Sequence, residues 1–261
     1  PNSSGGALPE TVPGRALALA DKIDALTGYF GVGLIPSGSQ DPFALRRAAL
    51  GVIAIIKDTG ISIGLKSLIE QAYDLYGGKV AFKNDRATVC SLLDEFFRGR
   101  MRAALLEDGY RYDLVDAILA GGQLNPSDFY TRIAALDQAA NTADFLTALA
   151  VFNRAGNLAS KATTDTYDRN ILPEEADRQL VAAYESARQE VLEVLGSGSI
   201  TVANVAATLQ ALAGMRSAVD HFFDTVLVMA PDEKVRQSRL ALLKAIVVLF
   251  DMLWDWSKIV V

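Results

Sequence analysis

One cysteine and one histidine are spread over 261 residues. The lone Cys90 excludes a disulfide framework within the chain and suits a reducing compartment such as the cytosol. One residue of each kind also leaves almost no room for a zinc site built on the usual nitrogen and sulfur ligands. Neither a Ser-His-Asp nor a Cys-His set can be assembled, and there is no phosphate loop, HExxH or kinase signature. Gly31-Val32-Gly33 follows no strand and lacks the full spacing of a dinucleotide fingerprint. No apolar run reaches the roughly 18 residues a membrane span needs. The nearest, Ala241–Trp254, is interrupted by Lys244 and Asp251. A signal-peptide pattern is absent. Positive charge is not in excess: 25 basic against 31 acidic residues give a net charge of −6. A globally basic nucleic-acid binder is therefore excluded, and any RNA contact has to come from a local basic patch.

Alanine and leucine abound, aromatic residues make up 8% of the chain, and runs of β-branched residues are few. That composition favours helix. Ile61-Ser62-Ile63 and Lys79-Val80-Ala81-Phe82 are too short to carry a sheet. Periodicity predicts helices over Gly14–Phe30, Pro42–Asp58, Leu65–Leu75, Arg86–Glu107, Asp113–Leu119 and Pro126–Ala139. Asn141-Thr142-Ala143 is a reasonable boundary. Beyond it, helices are expected over Asp144–Ala162, from Pro173 to Leu195, from Asn204 through Gly214 to about Met229, and from Pro231 to about Lys258. Thr163–Asn170 reads as a polar connector and Gly196-Ser197-Gly198-Ser199 as a flexible turn. The fold class is all-α, as two consecutive helical bundles over 1–139 and 140–261. Pro1–Gly6 looks like a loop end, and the abrupt entry into structure suggests a piece of a longer protein.

Ser39–Gly51 stands out. Asp41 is placed to cap a helix, and Pro42 would sit at its first position, where a missing N–H costs nothing. Phe43, Leu45, Ala49, Leu50, Ile53 and Ile56 form its apolar stripe. Arg46 and Arg47 are adjacent and point about 100° apart, so both cannot lie on that stripe. Their ordinary reading is a solvated pair. Other candidate groups also have ordinary readings. Asp21 and Asp24 share a face and can bind a divalent ion or share a proton, but an exposed acidic face beside Lys22 explains them as well. Arg98, Arg100, Arg102 and Arg111 are either a phosphate-touching patch or a helix side balanced by neighbouring acids. Arg154, Asn157 and Lys161 form one polar, basic ridge, with forked donors suited to phosphates and base edges. Lys161 near a helix end is also what the dipole prefers. Arg236 and Arg239 share a face near a helix start, where positive charge opposes the dipole. Asp232 and Glu233 or a bound phosphate must compensate. His221 has no nucleophile or metal partner by spacing and reads as structural. From residues alone, the chain is a helical binding module with local basic ridges.

Five collinear blocks carry a resemblance. Leu17–Leu26 (LALADKIDAL), Ser37–Gly51 (SGSQDPFALRRAALG), Arg100–Leu119 (RMRAALLEDGYRYDLVDAIL), Asn153–Lys161 (NRAGNLASK) and Val219–Leu243 (VDHFFDTVLVMAPDEKVRQSRLALL) resemble the β subunit of bacterial two-subunit glycyl-tRNA synthetases. Trp254–Lys258 echoes that family's end. The resemblance implies that the first half is the end of an HD-like region with connecting helices, and that residues from about 140 on are a DALR-type anticodon-binding bundle. It implies tRNA(Gly) and a catalytic α subunit as partners, with two α and two β chains in the whole enzyme, ATP and Mg²⁺ as that enzyme's requirements, and no cofactor in this stretch. No histidine precedes His221, so an HD metal site cannot be complete, and a vestigial HD hydrolase is the weakest reading. Neither catalytic nor metal-binding residues are expected. Candidate tRNA contacts carried over from the matching blocks are Arg154, Asn157, Lys161, Arg236 and Arg239. Arg46 and Arg47 join them as a motif pair that fixes its helix against neighbours or a bound tRNA body. Asn153 and Thr225 stand where the family has Lys, and Ser238 where it has Asn; these departures thin the charge of that face. The rival reading is a helical scaffold for subunit assembly that touches RNA little.

Overall fold

Short apolar repeats and strong local caps give a chain of helices in the computed structural model, which describes residues 7–122, 125–196 and 200–260. Among the described residues there are eleven α-helices and no strand, only one isolated bridge between Ser37 and Gln40. No described helix is long and apolar enough to cross a membrane. The chain divides into two units: Pro1–Val115 with Gly122–Tyr130, and Asp116–Gly121 with Thr131–Val261. The division falls inside α5 (Tyr112–Leu119) and α6 (Pro126–Ala139).

The first unit is built on α1 (Val12–Gly31), which packs on α2 (Leu45–Thr59), α3 (Leu65–Tyr76) and α4 (Arg86–Glu107). Thr11 caps α1, its hydroxyl accepting from Gly14 N–H at 3.2 Å. Ile23, Leu26 and Phe30 of α1 are buried, whereas Leu17 is 73% exposed. Gly31 has to be glycine: a Cβ there would stand 2.6 Å from the Phe82 ring. The Lys79–Phe82 stretch runs into a clasp in which Asn84 Nδ2 donates to Phe30 O at 2.8 Å. Asp85 caps α4, accepting from Thr88 N–H at 2.7 Å.

α2 starts three residues later than expected. Pro42 and Phe43 lie in a turn, and Ala44 adopts a left-handed backbone (φ 56°), the one described non-glycine residue with positive φ. That twist brings the Asp41 carboxylate over the helix end, where it accepts from Leu45 N–H at 2.8 Å and Arg46 N–H at 3.0 Å. Asp41 is the cap after all, but over a longer reach. Phe43 and Leu50 do not join the stripe: Phe43 is 44% exposed and stacks on Tyr29 with ring centroids 4.3 Å apart, and Leu50 is 38% exposed. The buried face is instead Leu45, Ala49, Val52, Ile53, Ile55 and Ile56.

In the second unit α7 (Ala143–Ala159) packs against α9 (Val202–Gly214), α10 (Arg216–Thr225) and α11 (Glu233–Phe250), and α8 (Glu175–Leu195) packs against α9, α10 and α11. Pro173 lies just outside α8, whose capping box joins Glu174 and Asp177. Three expected helices end early, the first of them α7, which stops at Ala159 rather than Ala162. The Asn204–Met229 stretch breaks at Met215, which ends α9 and begins α10. The chain then turns extended at Val226, leaving Leu227 and Met229 exposed. The last helix stops at Phe250 rather than Lys258, because the chain folds back to seat Trp256. The Trp256 ring is fully buried against Phe145, Phe152 and Phe250, and its Nε1–H donates to Phe250 O at 3.0 Å. The Pro1–Gly6 and Ser197–Ser199 readings lie outside the described residues.

Candidate nucleic-acid interface

Only Arg154 and Asn157 of the expected ridge lie on α7, which ends at Ala159 rather than Ala162; Lys161 follows in a turn, and the three sit in different surroundings. Arg154 is committed to the second unit's own acids: its guanidinium reaches Asp220 and Asp224 on α10, each at 2.5 Å, and lies 5.2 Å from the Phe223 ring centroid. The Asp224 hydrogen bond is the largest influence holding the Arg154 pKa above its ordinary value. Arg216 also pairs with Asp220 and is the first cause of that carboxyl's lowered pKa. Asn157 and Lys161 are exposed, Lys161 just past the helix end.

Arg236 and Arg239 part company at different depths. Arg236 donates to Ala230 O at 2.8 Å and pairs loosely with Glu233 at 3.5 Å, so it ties down the turn before α11. Asp232 caps that helix, accepting from Lys234 and Val235 N–H, which answers how positive charge is tolerated there. Arg239 is 4% exposed. Its fork meets both oxygens of the buried Asp177 at 2.9 and 2.7 Å, and its third donor reaches Leu227 O at 2.9 Å. A guanidinium enclosed on three sides offers nothing to an outside phosphate.

In the first unit Arg46 also works inward, donating to Gly38 O at 2.6 Å and Gln40 O at 3.4 Å, so it holds the loop that feeds α2. Arg47 borders a shallow hollow with Asp21, Lys22 and Phe43. Of the α4 arginines, Arg98 pairs with Asp94 at 2.6 Å and Arg100 lies over the Phe96 ring. Arg111 pairs with Asp113 at 2.6 Å. Asp21 and Asp24 are exposed, and no cluster of three metal-ligating side chains occurs among the described residues. His221 is exposed on α10, and its carbonyl accepts from the Thr225 hydroxyl at 2.7 Å.

One feature of the second unit escaped sequence reasoning. A cleft of about 480 Å³ opens between the 163–170 connector, α8 and α11, lined by Tyr167, Tyr184, Glu185, Arg188, Val248 and Met252 among others. The two tyrosine rings meet edge to face with centroids 5.9 Å apart. The Tyr167 hydroxyl donates to Glu185 at 3.2 Å, and Arg169 pairs with the same carboxylate. Burial, then the neighbouring Glu185 charge, pushes the Tyr167 phenol up to about 12. The signal available in the sequence was an aromatic residue inside a polar connector and the run Tyr184-Glu185 with Arg188 one turn on.

Comparison with known proteins bears on both units. Residues 1–120 match the family model of the glycyl-tRNA synthetase β subunit, and residues 148–253 match that of the DALR anticodon binding domain. The chain is 37% identical over 260 residues to the glycine–tRNA ligase β subunit of Clostridioides difficile, covering all of this chain and 37% of that protein. It is 39% identical over 261 residues to the one from Desulforamulus reducens, again covering all of this chain and 37% of that protein. It is 40% identical over 260 residues to the one from Serratia proteamaculans, covering 98% of this chain and 36% of that protein. The chain belongs to the glycyl-tRNA synthetase β-subunit family. It spans little more than a third of the length of these relatives.

The family's DALR match holds α8 to α11 entire and most of α7, and therefore the cleft and every second-unit candidate residue. The three departures from the glycyl-tRNA synthetase pattern have different structural weight. Asn153 and Thr225 are exposed. Ser238 is not on a face at all: it is buried, accepting from Asp168 N–H at 2.8 Å and donating to Asp168 O at 3.0 Å. That substitution stitches the connector to α11 rather than thinning the surface charge.

Proposed function

We propose that this chain binds tRNA(Gly) through its second unit, with the anticodon among the recognised parts, and so supports ATP- and Mg²⁺-dependent glycylation by a separate α subunit in an assembly of two α and two β chains. The setting is the cytoplasm. The observation that carries this reading is the DALR anticodon-binding match over 148–253, which falls on helices α7 to α11. Asn157 and Lys161 are the exposed members of the ridge and the first candidates for backbone contacts. Arg154 and Arg236 border the same unit and reach RNA only by exchanging or sharing their present partners. Arg46 and Arg47 are proposed to shape their own helix start, and through it any contact with the tRNA body. The test is a gel shift of tRNA(Gly) transcripts with changed anticodons on the full-length enzyme. Weaker binding of the changed transcripts is expected; equal binding of all of them sinks the reading.

A second reading has its own observation: Arg154, Arg236 and Arg239 are all engaged by protein groups, and the net charge is −6. On that reading the bundle is a scaffold for subunit assembly with little RNA contact. Salt separates the two, because phosphate contacts impose a steep loss of affinity as salt rises. A flat salt profile favours the scaffold.

A further inference from the structure

We infer that the cleft between the 163–170 connector, α8 and α11 receives one unstacked nucleobase of the tRNA and reads its amino-bearing edge. This deepens the tRNA-binding reading and rests on it. The cleft combines the two kinds of surface such a base requires. Its floor and lip are apolar, and in places exposed in a way a closed core does not leave them: Val248 is 45% and Met252 39% exposed on successive turns of α11 and its end. Tyr167 and Tyr184 stand beside them, already set at an angle to each other. Flat apolar walls and aromatic rings hold single bases by stacking, whatever their identity. The volume of about 480 Å³ lies in the range of small-ligand clefts.

Discrimination comes from the rim. Glu185 is held in place from two sides, by the Tyr167 hydroxyl and by Arg169, and a carboxylate has acceptor sites beyond two bonds. Asp165 lines the same cleft. Both side chains, as carboxylates, accept only, so they favour an exocyclic amino group, as on cytosine, over the carbonyl of uracil. Arg188, three residues beyond Glu185 on α8, lines the cleft as well and supplies donors for a base carbonyl or the adjacent phosphate. Backbone charge is at hand too. Lys161 is exposed at the entrance to the connector, and Lys244, one turn before Val248, reaches Ala162 O at 3.4 Å. An acidic rim with no positive neighbours would repel RNA; this one has Arg188 in its lining, Arg169 on Glu185, and Lys244 one turn of α11 before Val248.

The test is a coupling experiment on the full-length β chain assembled in its enzyme. Filter binding is measured with tRNA(Gly), with transcripts made abasic at single anticodon-loop positions, and with transcripts carrying uracil there. The variants are Val248→Asp, on an exposed lip where folding is not at stake, and Glu185→Gln. Thermal melting confirms that each variant is folded. In the unaltered enzyme one abasic position is expected to cost roughly tenfold in affinity or more. Val248→Asp is expected to lose a similar factor with intact tRNA and nothing further with that abasic transcript. Glu185→Gln is expected to shrink the preference over uracil at that position. If the unaltered enzyme responds to the loop but both variants keep full affinity and the same abasic and uracil losses, the cleft is overturned and the anticodon reading stands. If replacing the whole loop changes nothing in the unaltered enzyme, both fall.

Discussion

Arg239 and Asp177 lie 62 residues apart in sequence and meet as a two-pronged ion pair inside the second unit, 4% and 0% exposed at their side chains. The pair joins α11 to the first turn of α8, and Asp177 also accepts from Glu174 N–H at 3.1 Å. Removing one partner strands a buried charge. Arg239→Met is expected to destabilise the second unit by about 3–5 kcal/mol, and the double change Asp177→Leu with Arg239→Met to recover most of that. Urea unfolding of the single and double variants checks it. A single-variant loss below about 1 kcal/mol would show that the pair does not hold these helices together.

Arg154 makes the opposite case. Its two ion pairs are partly exposed, with side-chain accessibilities of 36% for the arginine and 30% and 65% for the acids. Pairs of that kind contribute little, so Arg154→Ala is expected to cost at most about 1 kcal/mol of stability. If Arg154 exchanges these partners for a phosphate, Asp220→Asn with Asp224→Asn frees its fork and raises tRNA affinity at low salt. Unchanged affinity in that double variant would confine Arg154 to a structural role.

Ala44 is the clearest local strain. A left-handed alanine costs on the order of 1 kcal/mol, which glycine does not incur. Ala44→Gly is expected to stabilise the start of α2 by about 0.5–1 kcal/mol, and Asp41→Ala to weaken it by about 1 kcal/mol. Hydrogen exchange at the Leu45 and Arg46 amides reads both: slower in the first variant, faster in the second.

Asp251, just past α11, gives a pH signature. Burial, with the Asp255 charge behind it, raises its carboxyl to about 6. The folded state therefore holds this proton more tightly than the unfolded chain does, and stability falls as pH rises from about 4 to about 6. The side chain is partly exposed, so solvent screening reduces the effect. Asp251→Asn is expected to gain about 1 kcal/mol at pH 7, little at pH 4, and to flatten this limb of the profile. Thermal melts across that range decide it.

The helices whose ends depend on local chemistry were legible in the sequence. α4 and α6 run over Arg86–Glu107 and Pro126–Ala139, as periodicity predicts. α1, α3, α5 and α8 also lie within two residues of their expected bounds. The start of α2, the break between α9 and α10 and the end of α11 were not legible, and the reasons are tertiary. No propensity announces that Ala44 will turn left-handed to let Asp41 reach Leu45 and Arg46. The chain leaves the helix at Val226 where Leu227 O can meet Arg239, and ends α11 at Phe250 where its carbonyl can meet Trp256. Of the candidate site, sequence spacing placed Arg154, Asn157 and Lys161 on one ridge and Arg236 and Arg239 on one face. It could not see depth: three residues along α11 separate a half-covered turn clamp from a core ion pair. Nor could it bring Tyr167 from a polar connector to Tyr184 and Glu185 on α8.

If the second unit reads the anticodon region of tRNA(Gly), a photo-crosslinker replacing the exposed Asn157 in the full-length enzyme lies within reach of that region. Crosslinks mapped by primer extension to the anticodon stem and loop are the predicted result. Crosslinks confined to other parts of the tRNA, or to protein alone, would contradict it.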